Sequence, residues 1–143
     1  MSNSPILVPA AVLIIWSLVV LLGVAVTRLP AMAKAGVSLG SIVGGRGADL
    51  EGVVPDRVSW ISHNYTHLME QPTIFYPTIV ILALTGADSG TNVALAWAYV
   101  GLRVVHSLVQ SLWNRVAVRF MLFLIATGAL FLLAINALLA AIG

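Results

Sequence analysis

The chain has 143 residues, of which 60% are hydrophobic and 8% charged, with a formal net charge of +2 and a mean hydropathy of +1.04. A soluble domain carries about a quarter of its residues as charged side chains, so this composition points to an integral membrane protein instead. There is no cysteine, which excludes thiol chemistry by the protein itself, and the seven basic residues behind the pI near 9.5 read as topology signals, not as a nucleic-acid surface.

In chain order, the first apolar run predicts a span over about Pro5–Thr27. Met1–Thr27 holds no ionisable side chain and exceeds the roughly 20 residues a spanning helix needs. It lacks the basic start of a signal peptide and has Pro5 and Pro9 there instead, so it reads as a retained span. Arg28–Asp56, with "GGRGADLEGVVPD", reads as an irregular loop. Two further segments follow, about 57–84 and 91–112, separated by the turn "TGADSG". "WNR" then leads into a last span over about Val116–Ile142. The expectation is a single four-helix membrane domain filling the chain.

Lys and Arg set orientation. Arg28, Lys34, Arg46 and Arg57 lie in or beside the first loop, and Arg115 and Arg119 at the third connection. The N-terminus, the 85–90 turn and the C-terminus carry none. Loops one and three are therefore expected on the cytoplasmic side, with both termini outside.

The stretch "HNYTHLMEQP" at 63–72 is the least apolar part of the spans. Successive residues turn about 100° on a helix, so His67 and Glu70 fall within about 40° of His63, and Trp60, Asn64 and Arg57 lie to one side of them. The third span repeats the pattern, since Arg103, His106, Ser107, Gln110 and Asn114 share an arc of about 100°. At about 1.5 Å per residue, Glu70 lies about 20 Å below Arg57, and Arg103 about 18 Å below Arg115. Antiparallel helices would then match Glu70 with Arg103, His67 with His106 and Asn64 with Gln110. Intramembrane charges are costly unless paired and usually mark function, so a buried Glu70–Arg103 pair is expected, within a subunit or across an interface. The plainer reading of single residues such as Ser107 or Asn92 is hydrogen-bonding glue between helices. Trp16, Trp97 and Trp113 read as interface or packing aromatics. His63, His67 and Glu70 could also ligate a metal from one helical face, but one helix with one carboxylate is a weak signal and no metal is expected.

These residues resemble the MAPEG family (membrane-associated proteins in eicosanoid and glutathione metabolism), and the resemblance covers essentially the whole chain. "RVSWISHNYTHLMEQP" supplies Arg57 and Asn64 at the separation the family's second helix shows, with Pro72 close to the family proline. "GLRVVHSLVQSLWNR" is similar to the Arg-x2-His segment of the microsomal glutathione transferases, which gives Arg103 and His106. Asn114-Arg115 matches the Asn-Arg that opens their fourth helix. The chain departs from the pattern at Trp60, where a second arginine is usual, at His67, where a glutamate is usual, and in 104–112, which lacks the tyrosines of the sulfur site. It looks like a divergent bacterial branch, which implies a bacterial inner membrane.

The resemblance implies a homotrimer with a cytoplasm-facing site at subunit interfaces. Glutathione or another anionic thiol would be the cofactor. Arg28, Arg57, Asn64, His67, Glu70, Arg103, His106 and Gln110 would be binding residues, and Arg115 or Arg119 would hold the thiolate. A lipophilic substrate would enter from the bilayer for conjugation or peroxide reduction. The alternatives are a non-catalytic lipid-binding or accessory membrane subunit of the same fold, favoured by Trp60 and His67, and a histidine-liganded metal protein.

Overall fold

Among residues 4–40, 42–88 and 90–143, which a computed structural model describes, every regular element is helical. Helix α1 spans Leu7–Lys34. Pro9 sits in its first turn, where a missing N–H costs nothing. The Ser17 and Thr27 hydroxyls donate back to the Leu13 and Gly23 carbonyls at 2.9 and 2.7 Å, so each uses its proton within its own helix. The helix continues past Thr27, where the first span was expected to end. Its last turns, "RLPAMAK", are mostly good helix formers, and they outweigh the one backbone bond lost at Pro30. The stop is at Gly36, whose φ of 72° suits only glycine well. There Val37 N–H reaches Met32 O at 3.0 Å and Gly36 N–H reaches Ala33 O at 3.2 Å, a Schellman closure.

The loop that follows is irregular, as its glycines predict, apart from a 3-10 turn at Gly47–Leu50. Helix α2 is Asp56–Glu70 and helix α3 is Pro72–Leu84. The expected single second span is therefore interrupted at Gln71. Pro72 has no N–H to give the Leu68 carbonyl, and its ring crowds that carbonyl. Gln71 itself stays right-handed helical at φ −60° and ψ −39°, so α3 carries on from α2. A second Schellman closure at Gly86, with Ala87 N–H to Leu82 O at 2.9 Å, ends α3. Ser89 of the expected turn lies outside the described residues. Helix α4, Gly90–Leu112, and helix α5, Val116–Ile142, form a hairpin through Trp113–Arg115. Asn114 takes the left-handed turn there at φ 54°, a conformation asparagine tolerates better than most residues.

The helices form an up-down bundle in which α1 packs on α2, α3 and α4, while α5 packs on α4 and α3. Ser4 donates to Asp88 at 2.9 Å, and Asn136 donates to Asn92 at 2.7 Å. These contacts bring the described start of the chain, the 85–90 turn and the C-terminal turns of α5 to one end. Loop one and the 113–115 link occupy the other. The core holds Leu13 and Val20 of α1, Phe75, Ile79 and Leu82 of α3, Tyr99 of α4 and Leu133 of α5. The outside is apolar too, with Ile15, Leu22 and Val26 of α1 and Phe131, Leu138 and Ile142 of α5 exposed. Surfaces of this kind need lipid or protein against them. Three helices, α1, α4 and α5, are long and apolar enough to cross a membrane among the described residues.

Candidate functional site

Helix α4 turns its polar stripe inward. Arg103, His106, Ser107 and Gln110 are all buried, and they meet α2 in antiparallel register. Tyr99 donates to Gln71 at 3.3 Å, Arg103 donates to the His67 carbonyl at 2.6 Å, and Asn64 donates to Ser107 and Ser111 at 2.7 and 2.9 Å. Trp16 of α1 donates to the same Ser107 oxygen at 2.9 Å. The His67 and His106 rings lie edge to face with centroids 5.9 Å apart, so these two share a level, as their depths predict. Asn64 reaches the turn of α4 that also carries Gln110. Ser107 and Asn92 take part in the interhelical hydrogen bonding expected of them.

Helix α2 behaves differently. Its buried direction is set by Asn64 and Leu68. At 100° per residue, Glu70 points about 120° from the first and about 160° from the second. The expected Glu70–Arg103 pair accordingly does not form within the chain. Glu70 faces outward with its side chain 59% exposed, and its Oε2 lies 3.1 Å from His67 Nδ1. Arg103 is 1% exposed and is the largest fully buried side chain among the described residues. Its Nε and Nη1 have no hydrogen-bond partner. Depth was matched, but direction was not. His63 turns to the loop, with Nε2 2.9 Å from Glu51 Oε1. His63, His67 and Glu70 therefore do not converge, and no metal-ligand cluster of three or more side chains occurs among the described residues.

The remaining basic residues separate. Arg28 donates to Gly47 O at 2.5 Å and to Ser62 at 3.3 Å. Arg57 is exposed in the first turn of α2. Arg115 is also exposed, with its guanidinium 5.6 Å from the centre of the Trp113 ring. Arg119, one turn into α5, is half-buried. It donates to Asn114 Oδ1, while its Nε is buried without a partner.

A cavity lies where three of the expected site residues, His67, His106 and Arg119, come together. It has a volume of about 200 Å³ and is lined by His67, His106 and Arg119 with Val116, Phe120 and Phe123. One wall is cationic and imidazole-bearing and the other aromatic, which suits an anion joined to an apolar group. A second, open cleft of about 420 Å³ is lined by Asn114 with Glu51, Asp56, Trp60 and His63 among others. The role of Asn114 in holding Arg119 was not foreseen from sequence. Nor were Phe120 and Phe123, which sit in an apolar run that carries no local signal. The hydrogen bond of 2.8 Å from Gln71 to Thr127 could have been sought by placing each isolated polar residue of the last span against α3.

A family model described as the MAPEG family matches residues 6–139. Comparison with curated proteins and with solved structures yields no match. The match spans nearly every residue of the bundle, including His67, His106, Arg103, Asn114 and Arg119, and the apolar helices agree with a membrane-bound family. On this match the chain belongs to the MAPEG family.

Proposed function

We propose that this multi-pass membrane protein binds glutathione or another anionic thiol at the Asn114 end of the bundle and presents its sulfur to Arg119 for reaction with a lipophilic substrate. The observation that carries the reading is the cavity in which Arg119 faces His67 and His106 against Phe120 and Phe123. A cation within a few ångströms favours a thiolate, and the thiolate is the nucleophile. The phenylalanines and the adjacent bilayer suit an apolar electrophile. The neighbouring cleft lined by Glu51, Asp56 and Trp60 suits the ammonium group that glutathione also carries. Of the two arginines expected to hold the sulfur, Arg119 is the better placed, because Arg115 lies outward over Trp113.

Glutathione bound to the purified protein is expected to show thiolate absorbance near neutral pH. Arg119→Ala should raise the apparent pKa of the bound thiol by about 1–3, with little change in affinity for a thiol-free analogue. Arg115→Ala should move it less. Equal effects of the two substitutions, or no binding of glutathione, would remove this reading. Lipid-like ligand binding without catalysis is the second reading, favoured by Trp60 and His67 at positions where the family carries charged residues.

In this proposal α2 and α3 together make a fourth crossing. Loop one and the 113–115 link face the cytoplasm and both termini lie outside, in a bacterial inner membrane. Cysteines placed as Glu51→Cys and Gly90→Cys should then label from opposite faces, and labelling from the same face rejects the topology. A homotrimer completes the site. The outward carboxylate of Glu70 would otherwise meet hydrocarbon at a depth where charge is costly, and a cavity of about 200 Å³ is below the roughly 300–1,000 Å³ of small-molecule sites. Native mass spectrometry in mild detergent should show three copies, and a stable monomer would count against it.

A further inference from the structure

The loop between α1 and α2 is apolar beyond what a connecting segment in water tolerates. Leu39, Ile42, Val43 and Val53 are exposed on it, Val43 completely. Loops at an aqueous surface are normally polar, and clustered exposed apolar side chains mark a contact with lipid or protein. Between this loop and the last turns of α1 lies an open cavity of about 570 Å³, within the usual range for small-molecule sites. Its apolar lining includes Leu29, Met32, Val37, Leu39, Ile42 and Leu50.

Positive charge surrounds that opening. Arg28 and Arg46 line the cavity, and Lys34 stands exposed at the end of α1. No carboxylate among the described residues is within ion-pair distance of any of the three. Asp49, whose carboxylate accepts the Arg46 backbone N–H at 2.6 Å, also lines the cavity and sets one negative charge against the two arginines there. The guanidinium of Arg28 is held by Gly47 O and Ser62. Of the two arginines that line the cavity, that leaves the exposed Arg46 side chain as the one free to take an anion.

We propose that this loop lies in the headgroup region of the bilayer and binds one anionic phospholipid, with an acyl chain in the cavity and the phosphate on Arg46. The site is separate from the cavity around Arg119. An apolar surface beside basic residues is the combination that holds segments at an anionic membrane interface. Here the exposed leucine, isoleucine and valines follow directly on the end of the membrane-crossing helix α1. Gly44 and Gly45, at φ 78° and 102°, let the backbone turn back beneath Arg46 where a side chain would be strained.

The test uses the full chain in mild detergent and in nanodiscs. Mixed with equal amounts of phosphatidylglycerol and phosphatidylcholine, the protein should retain the anionic lipid preferentially in native mass spectrometry. Arg46→Glu should cut that retention about tenfold or more and leave phosphatidylcholine unaffected. This substitution is suited to the purpose because the Arg46 side chain is exposed and forms no ion pair. Soluble glycerol phosphate, which has no acyl chain, should not displace the lipid. Because the chain has no cysteine, spin labels can be placed singly at Leu39→Cys and Val43→Cys. In nanodiscs both should be more accessible to oxygen than to a water-soluble nickel complex, and a label at Glu51→Cys should show the reverse. Equal retention of both lipids, unchanged retention in Arg46→Glu, displacement by glycerol phosphate, or a water-side signature at both loop labels would overturn the proposal. So would disulfide formation between the Leu39→Cys sites of two copies, which would assign the loop to a neighbouring chain.

Discussion

Replacing Tyr99 by alanine should destabilise the bundle by about 3–5 kcal/mol, the usual cost of removing a fully buried large side chain. Tyr99 is wholly buried in α4. Its ring stacks on Phe75 with centroids 4.4 Å apart and an interplanar angle of 24°, and its hydroxyl donates to Gln71 just where α2 gives way to α3. Gln71 in turn donates to Thr127 of α5. A single side chain thus connects three helical segments at the point where Pro72 has removed a backbone bond. Helices in lipid are held by close packing and hydrogen bonds, because there is little hydrophobic drive between them. The stacked ring should therefore matter more than the hydroxyl. Tyr99→Phe is expected to cost only about 0.5–1.5 kcal/mol. Thermal unfolding in mild detergent measures both, and a Tyr99→Ala loss no larger than that of Tyr99→Phe would show that the stack contributes little.

Arg103→Met should move stability in the opposite direction, by a gain of about 1–4 kcal/mol. Arg103 is 1% exposed. Its one hydrogen bond, to the His67 carbonyl, leaves Nε and Nη1 without partners. A buried charge costs several kcal/mol of desolvation, and no ion pair within the chain offsets it. Methionine fills similar space without that cost and leaves one carbonyl unpaired. Among the described residues of the protomer the Glu70 carboxylate touches only His67, so the effect of Glu70→Gln reports what a neighbouring copy presents to that carboxylate. The two substitutions together separate the protomer's geometry from an intersubunit pairing. If Arg103→Met is strongly destabilising and Glu70→Gln equally so, a carboxylate from a neighbouring copy reaches this arginine.

Composition and pattern alone determined that this is a helical membrane protein, because long uncharged runs have no stable place in water. The same reading placed the glycine-rich loop, the TGADSG turn and the hairpin at Trp113–Arg115, where glycine or asparagine takes a left-handed backbone. It also placed His67 beside His106, since axial depth follows directly from 1.5 Å per residue. Azimuth was the harder quantity. A polar stripe identifies one face of a helix but not what that face looks toward, and on α2 the buried direction is decided by Asn64, which bonds to α4, and Leu68, which enters the core. That choice turned Glu70 outward, left Arg103 alone, and broke an ion pair that depth by itself supported. Local backbone details also depended on the assembled bundle. α1 runs on to Lys34 because helix-forming residues offset Pro30, and the second span is interrupted at Gln71 because Pro72 removes its donor. The meeting of Arg119 with His67, His106, Phe120 and Phe123 belongs to tertiary structure entirely. Those residues come from three helices, and only the antiparallel packing of α4 between α2 and α5 brings their side chains around one cavity.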